Sequence, residues 1–146
     1  LILVADANVL VAELLRRRGQ DLIESGRLQL SIAQSAREET DHELKKRIDA
    51  MIQQGRVNPL AGERLLATAT NLVNVYVTLI PEFVYSSWES RSRRRVHADP
   101  DDWPTVALAL ALDAGIWTHD NDFLGCGCVT WRTETLLAEL EFEAAP

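Results

Sequence analysis

Short apolar runs of strand length alternate with longer helical stretches along this chain, and that rhythm leaves few architectures open. Residues 1–5 form a brief, β-branched apolar run that stops at a polar residue, the pattern of a buried strand. Residues 8–15 follow as a helix, with Gly19 as its stop. Residues 28–32 give a second strand. Residues 34–54 then form a long helix whose Ala36, Thr40, Leu44, Ile48 and Met51 share one stripe. Residues 59–72 read as another helix, while 75–80 fit either a strand or a helical extension. Pro81 permits a fresh helix through Trp88 that ends in the basic stretch 91–95. Residues 103–114 are apolar almost all round, as expected of a helix packed on both sides. Strands at 116–118 and 128–131 and a helix at 133–140, with Thr133 as a possible cap, complete the chain. Strands that alternate with helices pair in parallel. The expected fold is therefore a three-layer α/β/α sandwich around a mainly parallel sheet, one domain over residues 1–146.

A chain of 146 residues, 47% of them hydrophobic, can bury one proper core and is too short for two. Two cysteines make no disulfide framework, which fits a reducing compartment. No apolar run reaches the length of about 18 residues that suggests a membrane span. The first residues lack a charged leader and a small-residue cleavage site. A soluble, cytoplasmic protein is the expectation, with no membrane partner.

The acidic residues carry the chemistry. Asp6 follows the first strand, Asp102 opens the apolar helix, and Asp120 and Asp122 follow the strand at 116–118. Open α/β sheets place their ligand sites at such strand ends. Carboxylates that converge repel one another, by roughly 4 kcal/mol per pair about 4 Å apart at an effective dielectric of about 20. A hard divalent cation with oxygen ligands, Mg²⁺ or Mn²⁺, neutralises such a group. Each residue also has a plainer reading. Asp6 suits a helix cap, the segment 99–104 suits an ordinary helix start, and Asp120 and Asp122 suit a turn, although no helix is expected immediately after them to need a cap. On the long helix, Glu38, Glu39, Asp41 and Glu43 compete for a place in the site, and periodicity does not choose between Glu39 and Glu43. In an extended segment Asp6 and Asn8 would face the same way. The net charge of −7 speaks against a nonspecific nucleic-acid coat. Yet Asp6, Glu39, Asp102, Asp120 and Asp122 account for five of those seven charges, so a phosphate can still approach the nearly balanced remainder.

Taken together, these residues resemble the PIN-domain nucleases. The match lies in Asp6-Ala-Asn8-Val-Leu, in Asp99-Pro-Asp-Asp102-Trp-Pro with Ala107-Leu-Ala-Leu, and in Ile116-Trp-Thr118-His-Asp120-Asn-Asp122-Phe; the following Gly125-Cys-Gly-Cys-Val-Thr-Trp131 is similar to a subgroup of bacterial members. The resemblance implies a Mg²⁺- or Mn²⁺-dependent phosphodiesterase acting on RNA, and in many small bacterial members the toxin of a toxin–antitoxin pair. It implies Asp6, Glu39, Asp102 and Asp120 as catalytic carboxylates and metal ligands, with Asp122 completing a second metal site or binding through water. Asn8 and Thr118 would orient ligands or water. It further implies an RNA substrate, a small antitoxin partner and pairing as a homodimer.

Other signals weigh less. Arg91, Arg93, Arg94 and Arg95 suit nucleic-acid contact and a helix C-terminus equally. Arg16, Arg17 and Arg18 read as a solvated helix end. Cys126 and Cys128 lack the second pair that structural zinc needs. Trp103 and Trp117, in apolar segments, suit the core. A haloacid-dehalogenase-type phosphatase would need an acid at position 8, which Asn8 cannot supply. A receiver domain matches the C-terminal half poorly, and a catalytically silent interaction module is the remaining alternative.

Overall fold

The computed structural model describes residues 1–144. Five short strands, β1 (Ile2–Ala5), β2 (Gln29–Ala33), β3 (Val77–Ile80), β4 (Gly115–Trp117) and β5 (Thr130–Trp131), form one sheet in the order β3-β2-β1-β4-β5. Every pairing is parallel. The central strand β1 is buried from Leu3 to Ala5, which is why it is an apolar run without alternation.

Seven helices join or follow the strands: α1 (Ala7–Leu14), α2 (Arg17–Glu24), α3 (Gln34–Gln53), α4 (Pro59–Tyr76), α5 (Glu89–Arg93), α6 (Trp103–Leu112) and α7 (Thr133–Ala144). From β1 to β3 the chain steps outward, then returns through α5 and α6 to β4 on the other side of β1. Helices α1 to α4 pack against one another, and α6 packs on β1, β2 and β4. The sandwich is α/β/α, as expected. The strand order reverses between β1 and β4, and such switch points open a crevice at the carboxyl ends of the strands.

Several local expectations change. Gly19 does not stop α1. It lies inside α2, which the sequence reading missed, and a Cβ there would sit 2.2 Å from the Glu13 carbonyl oxygen, so the close approach of α2 to α1 requires glycine. Arg18 is not a solvated helix end: its guanidinium grips the wholly buried Glu13 through Nε (3.2 Å) and Nη2 (2.9 Å), and reaches Glu134 at 3.0 Å. The ambiguous stretch 75–80 divides, with α4 running to Tyr76 and β3 beginning at Val77. After Pro81 come two 3₁₀ turns before α5, in place of one helix. Thr133 opens α7 with its hydroxyl bonded to Trp117 Nε1 (3.1 Å) and His119 Nε2 (2.8 Å), pinning α7 to the β4 end. The α3 stripe of Ala36, Thr40, Leu44 and Ile48 is buried, as are Trp103 and Trp117. Among the described residues no helix is long and apolar enough to cross a membrane.

Candidate active site

Asp6 occupies the position before α1, yet its side chain makes no capping bond to that helix. The carboxylate, 6% exposed, instead accepts from the Thr118 hydroxyl at 3.1 Å. Thr118 Oγ1 in turn accepts the Asp120 N–H at 2.9 Å. One hydroxyl thus ties the end of β1 to the end of β4, leaving the rest of the Asp6 carboxylate for something else. Asp120 Oδ1 accepts the Asp122 N–H at 2.8 Å and caps a 3₁₀ turn (Asn121–Phe123) that seats Phe123 in the core. The turn reading of Asp120 and Asp122 therefore holds together with the clustering, and a short helix does follow after all.

Asp102 ends a 3₁₀ turn (Pro100–Asp102) and precedes α6. Asp99 caps that turn, accepting the Asp101 N–H at 3.0 Å, whereas the Asp102 side chain caps nothing. The segment thereby splits its carboxylates between structure and site. Glu39 sits one turn into α3.

These segments meet at the carboxyl ends of the strands. Asp6, Glu39, Asp101 and Asp102 line one crevice with Ser35, Ala36, Pro104 and Thr105; its volume is about 80 Å³. At about 30 Å³ per water in the liquid, this accommodates an ion with one or two waters. On its other flank, one carboxylate oxygen each from Asp102, Asp120 and Asp122 lie within 4.8 Å of one another. Asp102 belongs to both groups and joins them into one site. Glu39, not Glu38 or Glu43, lines the crevice. Ser35, Thr105 and Asp101 escaped the sequence reading; the hydroxyls carried no signal, and Asp101 was hidden among neighbouring acids.

The electrostatics are strained. Burial, and then the charges of Asp99, Asp6, Asp120 and Glu39, push the Asp102 carboxyl up to about 7. Burial raises Asp6 to about 6 against the Thr118 bond, with Asp120 and Glu39 adding to the rise. Glu39 is raised by burial and by Glu43 and Asp99. Among the described residues no ion pair reaches Asp6, Glu39, Asp102, Asp120 or Asp122. An all-oxygen, all-carboxylate donor set without a protein cation fits a hard divalent ion.

Not every expected residue joins the site. Asn8 is exposed on the first turn of α1, where the helical backbone removes the two-residue alternation that would have aligned it with Asp6. Arg91 lies over the Trp88 ring, its Cζ 5.4 Å from the centroid. Arg93 pairs with Glu89 at 2.8 Å and stacks on Trp103. Arg95 donates to the Cys126 carbonyl at 3.0 Å. Gly127, at φ 87°, allows this: a Cβ there would meet the Arg95 guanidinium at 2.4 Å. Cys126 is buried and Cys128 half-buried, and both are free thiols.

A parallel sheet with a carboxylate crevice at its switch point defines a class of acidic-pocket α/β proteins. The sequence matches the PIN domain family over residues 4–141, and the chain belongs to that family. Its members are generally nucleases, usually metal-dependent, and bind RNA. Among solved structures the chain is similar in fold to PAE2754 from Pyrobaculum aerophilum, with a TM-score of 0.66 and 19% identity over 97% of this chain and 90% of that one. No curated protein matches the sequence.

Proposed function

We propose that this protein is a Mg²⁺- or Mn²⁺-dependent endoribonuclease. The observation that carries the reading is the meeting of carboxylates from four chain segments, with no ion pair to them among the described residues. Asp6, Asp102, Asp120 and Asp122 would hold the metal, with Glu39 lining the same crevice. A bound divalent ion supplies an activated water and neutralises charge on the scissile phosphate. The chain's own residues do the positioning. Thr118 orients Asp6 and fixes the Asp120 backbone, and the 3₁₀ turn holds Asp122 against Asp120. No side-chain nucleophile is needed. The intact acidic set disfavours a silent interaction module.

The reading extends to a cytoplasmic toxin of a toxin–antitoxin pair, with a small protein partner that occludes the crevice, and to a homodimer; family membership is its support. Purified protein should cleave single-stranded RNA with Mg²⁺ or Mn²⁺. Chelation or Asp120→Asn should stop cleavage, and the same substitution should relieve growth arrest on expression. Cleavage that persists in Asp120→Asn rejects the assignment, and a wild type that cuts no nucleic acid favours the silent module.

A further inference from the structure

Beside the acidic crevice lies a second cleft, about 400 Å³ in volume, between the segment that leaves α5 and the turn after β4. Arg94, Arg95 and His97 line one wall, and Asn121, Asp122 and Leu124 the other. Asp122 also belongs to the carboxylate trio with Asp102 and Asp120, so the cleft opens directly off the site. A nuclease must hold more of the strand than the phosphate it cuts, and a neighbouring phosphate needs donors rather than carboxylates. The four arginines are not equivalent here. Arg91 and Arg93 are committed to Trp88, Glu89 and Trp103. Arg95 spends one N–H on the Cys126 carbonyl at 3.0 Å. Arg94 has one weak tie, to Ser90 Oγ at 3.3 Å, and is exposed, as is His97. Leu124, 65% exposed, offers an apolar surface on the facing wall.

We propose that this cleft binds the nucleotide flanking the scissile phosphate of a single-stranded RNA. Arg94 and His97 donate to its phosphate, and Leu124 lies against its base. An acidic peptide is the poorer occupant, because it has no scissile phosphate to present to the metal and would meet Asp122. The proposal rests on the nuclease reading and names where that substrate lies.

The test compares wild type, the Arg94→Ala/His97→Ala double variant and Arg17→Ala, a charge control on α2 already paired with Asp21. Binding of a fluorescein-labelled single-stranded oligoribonucleotide is followed by anisotropy in Ca²⁺ at roughly 50 and 200 mM salt. The double variant should bind about tenfold more weakly, with a salt slope shallower by about one. Its KM should rise while kcat holds, and Arg17→Ala should change neither. Arg94→Lys/His97→Gln, which keeps the donors, should recover most of the affinity and covers the case of a poorly folded alanine variant. Affinity unchanged in the double variant, or lowered no more than in Arg17→Ala, overturns the proposal; so does a fall in kcat at unchanged affinity. A wild type that binds RNA without cutting it defeats the nuclease reading alone. Normal cutting with unchanged affinity in the double variant defeats the cleft alone, and a wild type that binds no RNA defeats both.

Discussion

Two buried carboxylates in this molecule have been given opposite surroundings. Glu13, wholly buried on α1, is held by both arms of the Arg18 fork, with Arg16 3.7 Å away and Glu134 sharing Arg18 from α7. Asp6, only seven residues earlier and 6% exposed, has a hydroxyl partner and carboxylate neighbours but no ion-pair partner among the described residues. Burying an unpaired charge is costly. The first arrangement removes that cost inside the chain and so welds α1, α2 and α7 together. The second leaves the cost standing until something positive arrives from solution, which is what a cation site requires.

The sharpest way to break this comparison is to neutralise each side in turn. Asp6→Asn should lower RNA cleavage by about 10²–10³-fold through loss of a metal ligand, while leaving the fold at least as stable. Arg18→Ala should do the reverse. Stranding Glu13 costs about 2–3 kcal/mol, somewhat under the usual penalty for a broken buried pair because Arg16 stays near. That corresponds to a Tm drop of about 5–10 °C for a chain this long, with cleavage per folded molecule retained. Thermal melts beside initial rates on both variants decide it. If Asp6→Asn unfolds the protein and keeps its rate, the two regions have been assigned the wrong way round.

The same contrast explains what could be read in advance. Four of the strands, the all-round apolar α6 and the α3 stripe follow from local patterns, and so does the α/β class, whereas β3 could not be told from a helical extension. Asp6, Asp102 and Asp120 were visible because strand and helix boundaries are visible. Periodicity does not choose Glu39 over Glu43, since the two lie four apart on one edge of α3; only the family resemblance favours Glu39, and it is Glu39 that lines the crevice. Arg18 was misread for a similar reason. Its partner Glu134 lies 116 residues away, and Glu13 was concealed within an apolar run. Asn8 lies inside α1, where the two-residue alternation of a strand does not hold.

A subtler way to sharpen the comparison targets the hydroxyl that Asp6 has instead of an arginine. Thr118→Val keeps the shape and removes the hydroxyl proton that Asp6 accepts, along with the acceptor of the Asp120 N–H. Such outer partners commonly account for 10–100-fold in metal affinity. Calorimetric titration with Mn²⁺ should show a loss of about that size, with a smaller change in melting temperature. An affinity within about twofold of wild type would mean that Thr118 merely fills space.

The smallest effect expected is on the pH dependence of the metal-free protein. Asp6 and Asp102 ionise near 3.8 when unfolded but near 6 and 7 when folded. Between those limits the folded state binds more protons than the unfolded one, so its stability falls as pH rises. This contribution is fully present below about pH 4 and lost once pH passes about 7. With Asp102 half exposed and screened, the combined effect is about 1–2 kcal/mol. Melting curves in chelator from pH 4.5 to 8 isolate it when wild type is compared with an Asp6→Asn/Asp102→Asn variant: the variant should gain on wild type as pH rises. Added Mn²⁺ should close that gap from the wild-type side, and more at pH 8 than at pH 5, where protons still compete for the carboxylates. A wild-type and variant difference that stays flat across this range would show that the crevice does not strain its acids. The distinction from the internally compensated Glu13 would then be one of position alone.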